Sequence, residues 1–279
     1  MKLRSLLYVP ASSEKFIAKA HERGADAIIL DLEDAVAPAD KDRARAALAE
    51  AVPSVGQNGA KVFVRINADP GPQLADAEAA CRAGAFGLYV AKARSLEQLW
   101  RISDALDSVE HELARPEMVF VPLIEDAAAV FEARALARYQ RSIGLSAGGE
   151  DLAESMGAEA VREALRFPKL LIHLAAKAEG KLSLGLLRSV SDYSDLPGIE
   201  AAAREARTHG FDGASCVHPA IVPILNAAFS PGPEQVAWAR RVVEAAGPED
   251  RGAFALDGKM IDAPVVARAR AILAQAEEL

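Results

Sequence analysis

Residues 27–38 read "AIILDLEDAVAP", an apolar run that delivers Asp31, Glu33 and Asp34 within four positions. Unpaired buried charge is costly, so three carboxylates at the end of a buried segment imply something to hold. The pattern repeats along the chain. "KVFVRIN" ends on Arg65 and Asn67, "FGLYVAK" on Lys92, and "MVFVPLIED" on Glu125 and Asp126. The glycine pair of "SAGGED" precedes Glu150 and Asp151, and "DGASCVH" runs into His218. If these segments are strands whose ends meet, at least five acids and two cations share one mouth. A hard divalent cation relieves that repulsion. Mg²⁺ suits oxygen ligands, with one or two carboxylates completed by water and substrate. Glu125 and Asp151 are the direct ligands expected, since the "GGED" glycines allow close backbone approach. Glu33 and Asp34 would hold metal-bound waters. The scarcity of clustered His and Cys speaks against zinc. Arg65 can clamp a carboxylate with two parallel hydrogen bonds, and a metal beside an arginine makes a receptor for a 2-oxo acid.

Each residue also has a plainer reading. Glu33 or Asp34 could cap the helix that follows, Asp151 could cap another, and Arg65 could simply pair with Glu33 or Asp34. Lys92 could be a solvated loop lysine, and His218 a structural histidine before a turn proline. The combination is stronger than its members, because independent accidents should not all fall at strand ends.

The elements that must position these residues are eight apolar runs, at 3–10, 26–33, 61–67, 86–92, 118–125, 141–147, 182–190 and 212–218. Stretches of helical composition, such as "KDRARAALAEAV" and "SLEQLWRISDALDSVEHELA", lie between them. Several runs are apolar almost throughout, as strands covered on both faces should be. Eight βα units predict a (β/α)8 barrel over residues 1–230, with function at the strand ends. The alternative, an open nucleotide-binding sheet, expects a glycine-rich turn after the first strand, where this chain has "VPASSEKF". Residues 231–279 read as a helix, a hairpin turning at Asp257-Gly258, and a closing helix with Pro264 in its first turn.

Composition narrows the class further. The formal charge of −8, from 40 Asp+Glu against 32 Lys+Arg, argues against a nucleic-acid partner. An apolar fraction of 51% is ample for a large core. Cys81 and Cys216 form no CxxC pair and read as buried thiols. No run of about 18 apolar residues suggests a membrane span, and the N-terminal run is too short for a signal peptide, so a cytoplasmic setting is expected.

The segments "LRSLLYVPASSEKFIAKAHERGADAIILDLEDAVAPADKDRAR", "VFVRIN", "PLIEDAAAV", "GGEDLAESMG", "GFDGASCVHPAIVPILNAAFSP" and "ALDGKMIDAPVVARARAIL" together carry a resemblance. The chain resembles the HpcH/HpaI aldolase and citrate lyase beta-subunit family, nearest its malyl-CoA and citramalyl-CoA lyase-like branch. That resemblance implies a Mg²⁺-dependent barrel that makes or breaks a carbon–carbon bond, with a 2-oxo acid and an acyl-CoA as partners. It implies Glu125 and Asp151 as metal ligands, Arg65 as the oxo-acid arginine, and Glu33 and Asp34 as acids around the metal waters; Glu33, Asp34 and Lys92 are expected beside Arg65 around the substrate. It also implies that Asp262 of "GKMID" acts catalytically in a neighbouring subunit of a homotrimer or hexamer. A citryl-thioester lyase subunit acting on an acyl carrier thioester, or a CoA-independent hydroxy-diacid aldolase, are the alternatives. The chain departs from the family pattern at Ala91 and Ala214. It also has Lys169 and His173 in a region where relatives often place an arginine.

Overall fold

The computed structural model describes residues 1–190, 193–247 and 252–277. The strands are β1 (Ser5–Pro10), β2 (Ala27–Asp31), β3 (Lys61–Ile66), β4 (Gly87–Val90), β5 (Val119–Ile124), β6 (Gly144–Ala147), β7 (Leu182–Leu184) and β8 (Ala214–Cys216). They pair in parallel in the order β7-β6-β5-β4-β3-β2-β1-β8. A parallel bridge from Leu184 to Gly213, with the Gly185 amide donating to the Gly213 carbonyl at 2.8 Å, joins β7 back to β8. The sheet therefore closes as a (β/α)8 barrel, and each of the eight apolar runs carries one strand.

Parallel strands flanked by helices bury both faces, which is why β2 is buried at all five positions. Leu6, Ala27, Ile29, Phe63, Tyr89, Val121 and Leu184 fill the barrel interior. Side chains alternate along a strand, so the inward residues one step further on are Tyr8, Asp31 and Arg65. The hydrophobic plug thus ends where the polar mouth begins.

The strands are shorter than their apolar runs. β7 stops at Leu184, where Gly185 adopts a φ of 153°. Leu186 and Leu187 remain buried without joining the ladder. Their hydrophobicity serves packing, which sequence pattern alone does not distinguish from pairing. Similarly, "KDRARAALAEAV" forms two helices, Lys41–Ala46 and Leu48–Gly56, rather than one. Ser95 caps the helix Leu96–Glu112 by accepting from the Gln98 amide at 3.3 Å.

The chain divides into two compact units, Leu3–Asn226 and the part from Ala227 onward. In the second unit, helices Pro233–Ala246 and Ala263–Glu277 pack around Ala239, Val242, Ile261, Val266 and Ala269. The antiparallel hairpin β9 (Phe254–Leu256) and β10 (Lys259–Ile261) pairs Leu256 with Lys259. Asp257 and Gly258, with φ of 51° and 73°, make the two-residue turn expected of Asp-Gly.

Candidate active site

Asp31 and Arg65 are register partners on β2 and β3, so their side chains project together into the mouth. The guanidinium donates to Asp31 through Nε at 2.7 Å and Nη2 at 2.6 Å. Its Nη1 lies 2.9 Å from Glu33 and 3.0 Å from Asp34. Asp31 also accepts from the Glu33 amide at 2.9 Å and the Ala35 amide at 3.2 Å, which folds the acidic loop around the arginine. The Tyr8 ring supports the guanidinium face at 5.1 Å. Arg65 does pair with Glu33 and Asp34, as the plainer reading allowed, but the two-toothed grip belongs to Asp31. An incoming carboxylate therefore meets Nη1, in competition with Glu33 and the half-exposed Asp34.

Glu125 follows the last residue of β5 and is 4% exposed. Its Oε2 accepts from the Lys92 amide at 2.8 Å, and Lys92 takes a φ of 48°. Burial, reinforced by Glu33 and Asp151, pushes the Glu125 carboxyl up to about 8. Burial likewise raises Glu33 to about 7, against the opposing pull of Arg65. Glu33 Oε2, although close to Arg65, has no aligned hydrogen-bond donor. The Lys92 ammonium lies 3.5 Å from Glu33 and 3.7 Å from Asp151, so it is held among the acids rather than solvated alone. Gly148 passes so close that a Cβ there would sit 2.3 Å from Glu125 Oε1. Only glycine fits, which realises the close approach read from "GGED".

Tyr8, Asp34, Arg65, Glu125 and Asp151 line one cavity of about 410 Å³. Among the described residues, no group of three or more His, Cys, Asp or Glu side chains forms a ready cage for a metal. Two carboxylates left open to water and substrate are nevertheless the donor set that Mg²⁺ takes. Burial raises Glu125 and Glu33, with nearby acids adding to the rise, and a cation bound there would favour their ionised forms. The residues therefore fit Mg²⁺ held by Glu125 and Asp151.

Other strand-end residues do other work. Asp126 caps the helix Ala127–Arg138 through the Ala129 amide at 2.8 Å and pairs with Arg94 at 2.6 Å. Asp151 sits in the first turn of Gly149–Ser155 and is not its cap, and Glu33 and Asp34 cap no helix. Asn67 binds Asp76 and accepts from Lys41. His218 is exposed, accepts from the Ala220 amide at 3.2 Å, and stacks on Tyr193. Cys81 and Cys216 are free and buried. Asp262 lies in the second unit, at the start of the closing helix, and accepts from the Val265 amide at 3.3 Å.

Sequence reasoning missed two contributors and gave a third, Lys169, no place in the mouth. Tyr8 is inward on β1, a position that strict alternation could have flagged. Lys41 comes from the helix after β2 and donates to the Leu32 and Glu33 carbonyls, both at 2.9 Å, fixing the acidic loop. Lys169 lines the cavity from helix Arg162–Ala178, where a strand-end search does not look. A second groove of about 720 Å³, lined by Lys41, Lys92, Arg94 and Arg101, opens beside Glu33 and Asp34.

A (β/α)8 barrel with an acid-rich mouth, an arginine and a lysine among those acids, and room for a small molecule defines a class of metal-assisted carboxylate-handling barrels. The chain belongs to the HpcH/HpaI aldolase/citrate lyase family, whose sequence profile matches residues 4–219. A citrate lyase subunit beta-like protein of Mycobacterium tuberculosis is 35% identical over 98% of this chain and 95% of its own length. A (3S)-malyl-CoA thioesterase of Cereibacter sphaeroides is 34% identical over 99% of this chain and 95% of its own. The crystal structure of M. tuberculosis CitE in complex with magnesium, acetoacetate and coenzyme A has a TM-score of 0.81. It shares 34% identity, over 98% of this chain and 97% of that one. The family expected from the sequence motifs is the family found.

Proposed function

We propose that this protein is a Mg²⁺-dependent carbon–carbon lyase. It cleaves, or in reverse forms, a 3-hydroxyacyl-CoA such as malyl-CoA or citramalyl-CoA, giving a 2-oxo acid and an acyl-CoA. The observation that carries this reading is the convergence of Glu125, Asp151 and Arg65 on one cavity. The magnesium and coenzyme A bound by the M. tuberculosis relative support it.

In the cleavage direction, the bond between the hydroxyl-bearing carbon and the thioester α-carbon breaks. The electron pair stays with the α-carbon as a thioester enolate, the hydroxyl loses its proton, and the α-carbon takes one up. Mg²⁺ at Glu125 and Asp151 would supply Lewis acidity toward the forming keto oxygen. Arg65, braced by Asp31 and Tyr8, binds the carboxylate through Nη1 and fixes its orientation, which lowers the entropic part of the barrier. Lys92, between Glu33 and Asp151, attracts both carboxylates and offsets their mutual repulsion. Lys41, Lys92, Arg94 and Arg101 in the groove beside Glu33, which Asp69 also lines, offer cations to the phosphates of an acyl-CoA. Asp262 is the acid for the enolate, or the base in condensation, and acts from the tail of a neighbouring subunit in a homotrimer or hexamer. Two buried free thiols accord with a reducing, cytoplasmic setting.

The test is an activity panel of malyl-CoA, citramalyl-CoA, citryl-CoA and a citryl carrier thioester, run with Mg²⁺ and with chelator. Oxo acid and free CoA are assayed separately, so that hydrolysis of the kind named for the C. sphaeroides relative would register on its own. Mg²⁺-dependent release of oxo acid from a CoA thioester is expected. Turnover of every thioester at the same rate in chelator, or of none, refutes the reading.

A further inference from the structure

The Tyr8 side chain crosses the barrel. It rises from β1, yet its ring meets Tyr89 of β4 edge-on, with centroids 6.2 Å apart, and lies 5.1 Å from the Arg65 guanidinium of β3. β1 and β4 are three places apart in the eight-stranded ring, so the side chain spans the interior on top of the hydrophobic plug. It forms part of the wall of the cavity that holds Arg65, Glu125 and Asp151. Among the described residues, the Tyr8 hydroxyl has no hydrogen-bond partner. Unlike the hydroxyl of Tyr89, it is not sealed in the core. A phenylalanine would pack on Tyr89 and Arg65 in the same way without an unpaired polar group, which is costly to keep.

The charges acting on that hydroxyl are Arg65 first, then Asp31, Glu125 and Glu33. Burial pushes the phenol well above its ordinary range, against the pull of Arg65, so at neutral pH the oxygen keeps its proton and is a donor. A donor that none of the resident carboxylates takes up is available to an incoming acceptor. The state of Arg65 indicates which one. Asp31 occupies Nε and Nη2, and Nη1 alone is left for a ligand, in competition with Glu33 and Asp34. One N–H does not set the plane of a carboxylate as a two-point fork does. A second donor beside the guanidinium restores that grip, and the Tyr8 ring already rests there.

We propose that Tyr8 is a substrate-binding residue whose hydroxyl donates to the oxo-acid carboxylate held at Arg65 Nη1. This deepens the lyase reading above and rests on it. Arg65 supplies the charge, and Tyr8 supplies the second point of contact. No proton is transferred. The oxo acid needs a single carboxylate for this, as in the glyoxylate and pyruvate that malyl-CoA and citramalyl-CoA would release.

Pyruvate and glyoxylate are the probes, and their binding to the intact protein is measured by calorimetry in excess Mg²⁺. Tyr8→Phe keeps the ring and removes the hydroxyl. Loss of a hydrogen bond to a charged group should weaken both oxo acids by about tenfold or more. Mg²⁺ and acetyl-CoA affinities should stay within about twofold of wild type, which a merely structural role for the hydroxyl would not allow. Oxo-acid binding by Tyr8→Phe within about twofold of wild type overturns the assignment, as does a parallel loss of Mg²⁺ and oxo acid. A second measurement needs no truncation. With a ring-fluorinated tyrosine at position 8, the fluorine NMR signal should shift on saturation with pyruvate. An unmoved signal overturns the assignment even where Tyr8→Phe does not fold. Failure of wild type to bind either oxo acid refutes the lyase reading and this assignment together, whereas undiminished binding by Tyr8→Phe refutes this assignment alone.

Discussion

Glu125→Gln separates the cost of a buried carboxylate from its use. The Glu125 carboxyl is raised from 4.5 to about 8, chiefly by burial. A carboxyl whose folded pKa exceeds its unfolded one binds more protons when folded. Its contribution therefore favours the fold at low pH and is lost as pH rises from about 4.5 to about 8. At pH 7 the unfolded chain has ionised this group through about 2.5 pH units, while the folded site still holds the proton, which penalises the metal-free fold by up to about 3 kcal/mol. Gln keeps the shape and an oxygen for the Lys92 amide but cannot ionise. The metal-free variant should therefore gain stability over wild type as pH rises from about 5 to about 8, by about 5 °C in melting temperature for a chain of this size. Mg²⁺ should reverse the order, because it replaces the proton in wild type and finds one carboxylate fewer in the variant. Melting curves at several pH values, with Mg²⁺ and with chelator, measure both effects. A flat difference between the two proteins across this range, or equal stabilisation of both by Mg²⁺, would show that Glu125 is not the strained ligand described.

Gly148→Ala places a Cβ 2.3 Å from Glu125 Oε1 and should weaken Mg²⁺ binding at least about tenfold by calorimetry. Gly149→Ala, whose Cβ meets nothing nearer than 3.3 Å, should bind Mg²⁺ almost normally. Arg65→Lys keeps the charge but loses the fork, so oxo-acid affinity should fall about tenfold or more while acyl-CoA affinity moves little; equal losses would make Arg65 purely structural. Asp262→Asn can still cap the closing helix, so melting and Mg²⁺ binding should hold while turnover falls about a hundredfold or more. Mixed with Asp151→Ala under subunit exchange, it should recover part of the activity, and no recovery despite verified exchange refutes a shared site.

The fold was legible because its signal is repeated. Eight apolar runs separated by helical stretches survive errors at their ends, and β7 could be over-read by several residues without changing the barrel. The acids could be brought to one mouth because strand ends are where a barrel gathers polar side chains, and Glu125 and Asp151 do line the same cavity. What could not be read is which partner each charge takes. Asp31 and Asp34 are alike in sequence, yet one receives the Arg65 fork and the other stays half-exposed. That choice depends on strand register and on the loop amides that Asp31 also binds. Lys169 was noted only as a departure from the family pattern, and its place at the mouth escaped for a different reason. Its helix is amphipathic in the ordinary way, and a lysine on such a helix reads as solvated until the neighbouring loops are seen to cover it.

Charge balance ties these observations together. Among the described residues, Asp31, Glu33, Asp34, Glu125, Glu150 and Asp151 face three cations, Arg65, Lys92 and Lys169. With Glu150, which lines the same cavity, the acids of the described residues outnumber the cations, and a divalent cation would offset part of that excess. Burial, with neighbouring acids adding to it, raises Glu125 and Glu33, so the metal-free mouth favours their protonated forms. With the cation bound, those two carboxyls can ionise, and an incoming carboxylate must then displace an acid already resident on Arg65. Asp31 is tied by two guanidinium bonds and two backbone amides, and Glu33 is buried, so neither yields easily. Asp34 is the acid at Nη1 with open solvent beside it, where its charge can be hydrated once it lets go. The mouth is thus ordered by how firmly each acid is held. Asp31, held most firmly, shapes the arginine, whereas Asp34, the most exposed, is the acid at Nη1 most free to move.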